Sequence, residues 1–363
     1  MKIATVLGTR PQFIKAAPVS RAFQKHQVDH PHHPIREILI HTGQHYDEDM
    51  SDIFFREMAI PAPHYQLCVA SGLHGWQTGQ MMMRVEDVLL HEKPDVVLVY
   101  GDTNSTLAGA LAAAKLNIPL AHVEAGLRSF NRRMPEEVNR VVVDHVSSLL
   151  ICPSQTAVDN LAAEGITSGV HLIGDVMADA LAIFSERADA HSDIHARLGL
   201  TRGAYLLATI HRAENTDDPN RLRNIMSAFS QAEEPVVLPL HPRTRKVLDT
   251  LHLNLPGQIR MIGPVGYLDM VALEKSARVI LTDSGGIQKE AYWLEVPCVT
   301  LRDETEWMET IEFGWNRLVG ADEKEIVQAV RSISKPGRRP DLYGGGHAAE
   351  SIVGLLSKIY RPV

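Results

Sequence analysis

Short apolar runs recur along this chain, each followed by a stretch of helical periodicity. That alternation is the strongest constraint on its fold, because buried strands joined through helices build parallel α/β sheets. The clearest instance runs from Pro94 to Asp144. Val96-Val97-Leu98-Val99-Tyr100 leads into Gly101-Asp102-Thr103-Asn104 and an Ala/Leu-rich helical pattern. A second run, 118–123, ends in Glu124-Ala125-Gly126-Leu127-Arg128, and Pro135-Glu136-Glu137 opens the next helix. The carboxyl ends of parallel strands lie along one edge, where such sheets hold ligands. Asp102 and Glu124 are therefore expected to meet at that edge, and Glu136 is a third carboxylate, at a helix start.

The series divides in two. Runs at 3–7, 35–40, 96–100, 118–123, 149–152 and 170–173 read as a first set of strands; runs at 205–209, 235–240, 258–262, 278–281, 297–301 and 316–319 read as a second. Helical patterns stand out at 15–25, 47–58, 76–91 and 347–360. A length of 363 residues agrees with two domains. The boundary is placed near 174–179, giving one domain over 1–174 and another over 175–346. The segment 341–346, with three glycines, reads as a hinge.

Bulk properties exclude several classes. A net charge of -8 argues against a general nucleic-acid or anionic-membrane surface. Cys68, Cys152 and Cys298 lie far apart and form no paired motif, which argues against a disulfide scaffold or a thiolate metal site. No apolar run approaches membrane-spanning length, and Thr9-Arg10-Pro11 interrupts the first run too early for a signal peptide. A soluble cytoplasmic protein is expected.

Several strand-to-helix junctions carry chemistry. Gly8-Thr9-Arg10-Pro11-Gln12 with Lys15 places two cations near a helix N-terminus, which attracts anions through unbonded N–H groups and the helix dipole. No dinucleotide or Walker glycine fingerprint is present, so a redox or P-loop enzyme is not expected. His211-Arg212-Ala213-Glu214-Asn215 and His241-Pro242-Arg243 put histidines at two successive strand ends, a place for a general acid or a ligand group. In Thr282-Asp283-Ser284-Gly285-Gly286-Ile287-Gln288-Lys289-Glu290, a hydroxyl and two glycines at a helix start suit a diphosphate, although Ser284 also serves as an ordinary cap. Glu290, farther into the helix, is placed to take two sugar hydroxyls. The histidines His26, His30, His32 and His33 read as a solvated loop rather than a metal site, and Met81-Met82-Met83 as a helix face on the core.

Together these motifs resemble the non-hydrolysing UDP-N-acetylglucosamine 2-epimerases. The matching stretches are Gly8-Thr9-Arg10-Pro11 with Lys15, Gly101-Asp102-Thr103, His122 to Arg128, Pro135-Glu136-Glu137 with Asn139-Arg140, His211-Arg212 with Glu214-Asn215, and Asp283 to Gln288 with Glu290. The resemblance implies a GT-B architecture: two Rossmann-like, doubly wound domains with the active site in the cleft between them. It also implies a homodimer and a final helix, 347–363, that crosses back to the first domain. By position it makes Asp102, Glu124, Glu136 and His211 catalytic. It gives Arg10, Lys15, His241, Ser284, Gly285, Gly286 and Glu290 to UDP, Glu290 holding the ribose. Gln44-His45-Tyr46 before Asp47-Glu48-Asp49, and Trp307, are features of a subgroup that includes epimerases of UDP-2,3-diacetamido-2,3-dideoxyglucuronic acid.

The implied reaction has a physical logic. The C2 proton of an N-acetylhexosamine has no neighbouring carbonyl to acidify it, so elimination of UDP to a 2-acetamidoglucal and re-addition is the accessible route, with no NAD or metal. The rival readings are a GT-B glycosyltransferase, a hydrolysing epimerase and a nucleotide-sugar sensor. Three carboxylates and His211 speak against the sensor, since binding alone does not need them.

Overall fold

The apolar runs assemble into two all-parallel sheets. A computed structural model describes residues 1–44, 61–240, 242–251 and 255–360. The chain divides into two compact units, one made of Met1–Ala180 with Leu342–Val363 and the other of Leu181–Asp341.

In the first unit the strands are β1 (Lys2–Leu7), β2 (Arg36–His41), β3 (Tyr65–Gln66), β4 (Val96–Tyr100), β5 (Leu120–Val123), β6 (Leu149–Cys152) and β7 (Val170–Leu172). Their order is β3-β2-β1-β4-β5-β6-β7. The direction of winding reverses between β1 and β4, and a crevice opens at such a switch point outside the strands' carboxyl ends. Every residue of β4 is fully buried, as a strand covered by helices on both faces must be. The second unit repeats the plan with β8 (Leu206–Thr209), β9 (Val236–Pro239), β10 (Ile259–Ile262), β11 (Val279–Thr282), β12 (Cys298–Thr300) and β13 (Asn316–Leu318). Their order is β10-β9-β8-β11-β12-β13, with its switch point between β8 and β11. This is the α/β, GT-B class of two Rossmann-like doubly wound units.

Local chemistry sets the helix starts that flank these switch points. The first helix, Arg10–Asp29, begins before the 15–25 pattern, because Pro11 suits a first turn and Gln12 accepts from the Gly8 and Thr9 amides at 2.8 and 3.1 Å. Pro18 consequently lies inside this helix. Gly8 is dictated by packing: a Cβ there would sit 2.0 Å from Ser105 Oγ and 2.2 Å from Thr42 Oγ1. Thr103 and Thr106 cap the helix Asn104–Lys115 reciprocally, each side-chain oxygen accepting the other residue's amide. Strand β3 was not anticipated; its two residues pair with Ile40 and His41 at the sheet edge and carry no apolar run. The helix expected at 47–58 lies outside the described residues.

The helix Ala348–Ile359 belongs to the first unit. It packs on Arg10–Asp29, where Lys25 pairs with Glu350 at 2.8 Å. The Asp179 carboxylate accepts from the Ala348 and Ala349 amides, both at 3.1 Å, and so caps its start. Just before it the returning chain passes Gly174: the Asp175 amide donates to Tyr343 O at 2.7 Å, and a Cβ on Gly174 (φ +104°) would lie 2.7 Å from the same oxygen. Among the described residues no helix is long and apolar enough to cross a membrane.

Candidate active site

In the first unit the chain leaves β4 through Gly101 and Asp102 and leaves β5 into Glu124. Gly101 adopts φ +62°, and its α-carbon faces two side chains: a Cβ there would lie 3.2 Å from both Glu124 Oε2 and Lys15 Nζ. Lys15, one turn into the first helix, donates to the Glu124 carboxylate in a largely buried ion pair. Glu124 itself holds φ +74°, a left-handed conformation that costs a non-glycine residue about 1–3 kcal/mol and persists only where the surroundings enforce it. Its amide and that of Ala125 both donate to Ile151 O at 3.1 Å.

Asp102 is gripped on its other side. Arg140 donates to its carboxylate at 2.7 Å, and Asn139 Nδ2 to its carbonyl at 2.8 Å. Arg140 is in turn held by the buried Glu137, at 3.1 and 2.9 Å, which also accepts from the Ser129 and Phe130 amides at 2.9 and 3.0 Å. Desolvation pushes the Asp102 carboxyl above the usual aspartate range; the Arg140 and Lys15 cations oppose it, and the Glu124 and Glu136 charges add to it. Two carboxylates thus stand at one switch point in different electrostatic settings: one with its carboxyl pushed up by burial, the other bonded to an ammonium. Glu136 is exposed on the first turn of the helix Pro135–Val146, and the buried carboxylate of that turn is Glu137. Arg10 opens the first helix at the end of β1.

In the second unit the corresponding ends are those of β8 and β11. Asp283, fully buried, accepts from the His211 and Arg212 amides and from Asn215 Nδ2, each at 3.1 Å. It also lies 3.2 Å from His211 Nδ1, so the carboxylate orients a ring that is 44% exposed. Ser284 Oγ accepts the Ile287 amide at 3.4 Å and starts the helix Gly285–Trp293. The space over Gly285 is bounded by Trp307, Glu306 and Arg212, whose nearest atoms would meet a Cβ at 3.5, 3.7 and 4.0 Å. Among the described residues Gly286 opens onto Ser284 Oγ alone, at 3.8 Å. Glu290 is buried and accepts from Tyr267 Oη at 2.8 Å. Arg302 and Glu306 form a buried bidentate pair at 3.0 and 3.1 Å, and the Lys289 ammonium sits 3.9 Å from the Trp307 ring centre. His241 lies outside the described residues.

With this geometry in view, comparison with known proteins is decisive. The family model described as UDP-N-acetylglucosamine 2-epimerase matches residues 29–357. This chain belongs to that family. It is 50% identical to a Methanococcus maripaludis protein named UDP-N-acetylglucosamine 2-epimerase homolog, over 99% of this chain and 100% of the relative. It is also 50% identical to the UDP-2,3-diacetamido-2,3-dideoxy-D-glucuronate 2-epimerase of Pseudomonas aeruginosa, again over 99% and 100%. The solved structure of Methanocaldococcus jannaschii UDP-GlcNAc 2-epimerase in complex with UDP-GlcNAc and UDP superposes with TM-score 0.90 at 44% identity, covering 99% of this chain and 100% of that one. The epimerases are isomerases, and this chain is an enzyme of that class.

Against that family background, the residues missing from the sequence reading are the partners. Arg140 and Glu137 steady Asp102 and Asp283 aims His211, while Lys15, read from the sequence as a UDP ligand, engages Glu124. The paired acids in Pro135-Glu136-Glu137 and the acid immediately after β11 were visible, but nothing in their spacing said which would turn inward.

Proposed function

We propose that this enzyme interconverts UDP-N-acetylglucosamine and UDP-N-acetylmannosamine by eliminating UDP and adding it back. The observation that carries this reading is the placement of Asp102 and Glu124, with contrasting partners, at the switch point of the first unit. Environments that separate two carboxylates suit one to hold a proton while the other takes one. In the forward half-reaction a carboxylate takes the C2 proton, the C–H pair becomes the C1=C2 bond, and the C1–O pair departs with UDP. In the return half-reaction the UDP oxygen attacks C1 while a proton is delivered to the opposite face of C2. Glu136 is assigned to the same proton traffic.

His211, oriented by Asp283, assists cleavage of the bond to UDP. The amides of Ser284, Gly285 and Gly286 at a helix start, with Arg10, Lys15 and His241, are assigned to the diphosphate, and Glu290 to the ribose. The resemblance further supports a cytoplasmic homodimer that supplies precursors of surface polysaccharides. A second reading, a UDP-2,3-diacetamido-uronate substrate, is favoured by the 50% identity to an epimerase of that name.

The test is turnover in deuterated water with each UDP-sugar. Elimination places deuterium at C2 of the product and, at equilibrium, of the recovered substrate. Faster exchange with the diacetamido-uronate would select the second reading. Epimerised product that retains C2 protium would exclude the elimination route, and release of free sugar with UDP would mark a hydrolysing enzyme.

A further inference from the structure

His122 is a fully buried histidine on β5 to which the reaction above gives no task. Its Nε2 lies 2.7 Å from the carbonyl oxygen of Gly101, and its Nδ1 lies 2.7 Å from Asp144 Oδ1. A ring turned over would set carbons against both oxygens, so these contacts fix its orientation. A carbonyl oxygen only accepts, so Nε2 carries a hydrogen. Asp144 is bound as an anion: its Oδ2 accepts from Arg128 Nη1 at 2.7 Å and from the Gly126 amide at 3.0 Å. Burial works against that charge, but His122 and Arg128 outweigh it and hold the Asp144 carboxyl below the usual range. With Oδ2 engaged by a guanidinium and an amide, Oδ1 is left as an acceptor, and across the 2.7 Å contact Nδ1 is the donor.

The network touches both candidate carboxylates through their backbones. Gly101, whose carbonyl the ring pulls on, immediately precedes Asp102. Asp144 grips the chain on either side of Glu124, through His122 before it and Gly126 after it. Glu124 is the residue held at φ +74°, a conformation that needs such enforcement. The charged and titratable groups facing the pair are Arg128, which is also forked onto Glu164 at 2.7 and 2.8 Å, and the Cys152 thiol of β6, kept neutral by burial and the Asp144 charge, which push it to about 12.

We propose that His122, protonated on both ring nitrogens and clamped between Asp144 and Gly101, is a positioning residue that sets the relation of the Asp102 and Glu124 carboxylates. It touches no substrate and acts through the two strand ends. The inference rests on the epimerase reading for its kinetic consequence, but its charge is measurable without any substrate.

The experiment combines both. In protein labelled with 15N-histidine, the resonances that vanish in His122→Asn should show a hydrogen on each ring nitrogen at neutral pH. In Asp144→Asn, which preserves shape but removes the charge, the same ring should keep one hydrogen. With the substrate that the wild-type enzyme turns over, His122→Asn and Asp144→Asn should each lower kcat by about 100-fold, the usual result of misplacing reacting groups by about 1 Å, while KM and calorimetric UDP affinity change less than threefold. UDP affinity also certifies that each variant is folded; if His122→Asn fails that check, Asp144→Asn carries the kinetic arm. A wild-type ring with one bare nitrogen would overturn the charge assignment. An unchanged kcat in a folded Asp144→Asn enzyme would overturn the positioning role. If the wild-type enzyme exchanges C2 of neither sugar, the epimerase reading fails while the 15N result still decides the state of His122.

Discussion

Asp283→Asn isolates the orienting role of a buried carboxylate. Asp283 accepts in the second unit from the His211 and Arg212 amides and from Asn215 Nδ2, and lies 3.2 Å from His211 Nδ1. An asparagine that keeps its oxygen at the Oδ2 position retains the first three, each weakened from charge-assisted to neutral. Its NH2 group then faces His211 Nδ1, which must shed its hydrogen to accept. Weakening three buried bonds is expected to cost about 1–2 kcal/mol. At about 2–4 °C per kcal/mol for a unit of this size, the Tm should fall by roughly 2–8 °C. The effect on turnover should be far larger, because the ring loses the carboxylate that aims it. Loss of the orienting carboxylate from a His–carboxylate pair costs up to about 10⁴ in kcat, and loss of an acid–base group about 10²–10⁴. Scanning calorimetry and C2 deuterium exchange read the two effects separately. If Asp283 acts through His211, adding Asp283→Asn to His211→Asn should slow the enzyme no further. Multiplicative losses in the double variant would refute the argument.

Asp102→Asn should abolish turnover by about 10² or more while leaving Tm at neutral pH unchanged or raised. The folded carboxyl is held above its unfolded value, so folding favours its proton-bound form; that contribution is largest at low pH and is lost as pH rises. The neutral amide avoids this loss, and calorimetry at pH 5 and pH 8 should show the variant gaining on wild type at the higher pH. Arg10→Ala should weaken UDP binding by roughly 10- to 100-fold, the worth of a charge-assisted bond of about 1.5–3 kcal/mol. Titration calorimetry showing unchanged affinity would remove Arg10 from the diphosphate site.

The fold was legible wherever a strand is buried on both faces. β4 and β6 coincide with their apolar runs, and the other anticipated strands shift at their ends by one or two residues. β3 escaped because an edge pair of two residues leaves no period. The strand-end positions of Asp102, Glu124, His211 and Ser284 follow from parallel topology, which brings carboxyl ends to one edge of each sheet. The partnerships do not. Arg140 reaches Asp102 across 38 residues, Lys15 reaches Glu124 across 109, and the His211 amide reaches Asp283 across 72. A single sequence carries no signal for such pairs. Glu136 and Glu137 show the limit most directly: adjacent and chemically alike, they differ only in the direction the first helical turn gives them, outward for one and into Arg140 for the other.

The crossing of Gly174 and Tyr343 has a consequence for biosynthesis. The second unit is continuous in sequence, whereas the first is interrupted and then completed by Ala348–Ile359, whose Ile352, Val353 and Leu356 are buried. A ribosome therefore releases all of the second unit before the last structural piece of the first. The nascent amino-terminal sheet must wait with the apolar seat of that helix uncovered while Leu181–Asp341 is synthesised and folds. The unit translated first is the one finished last.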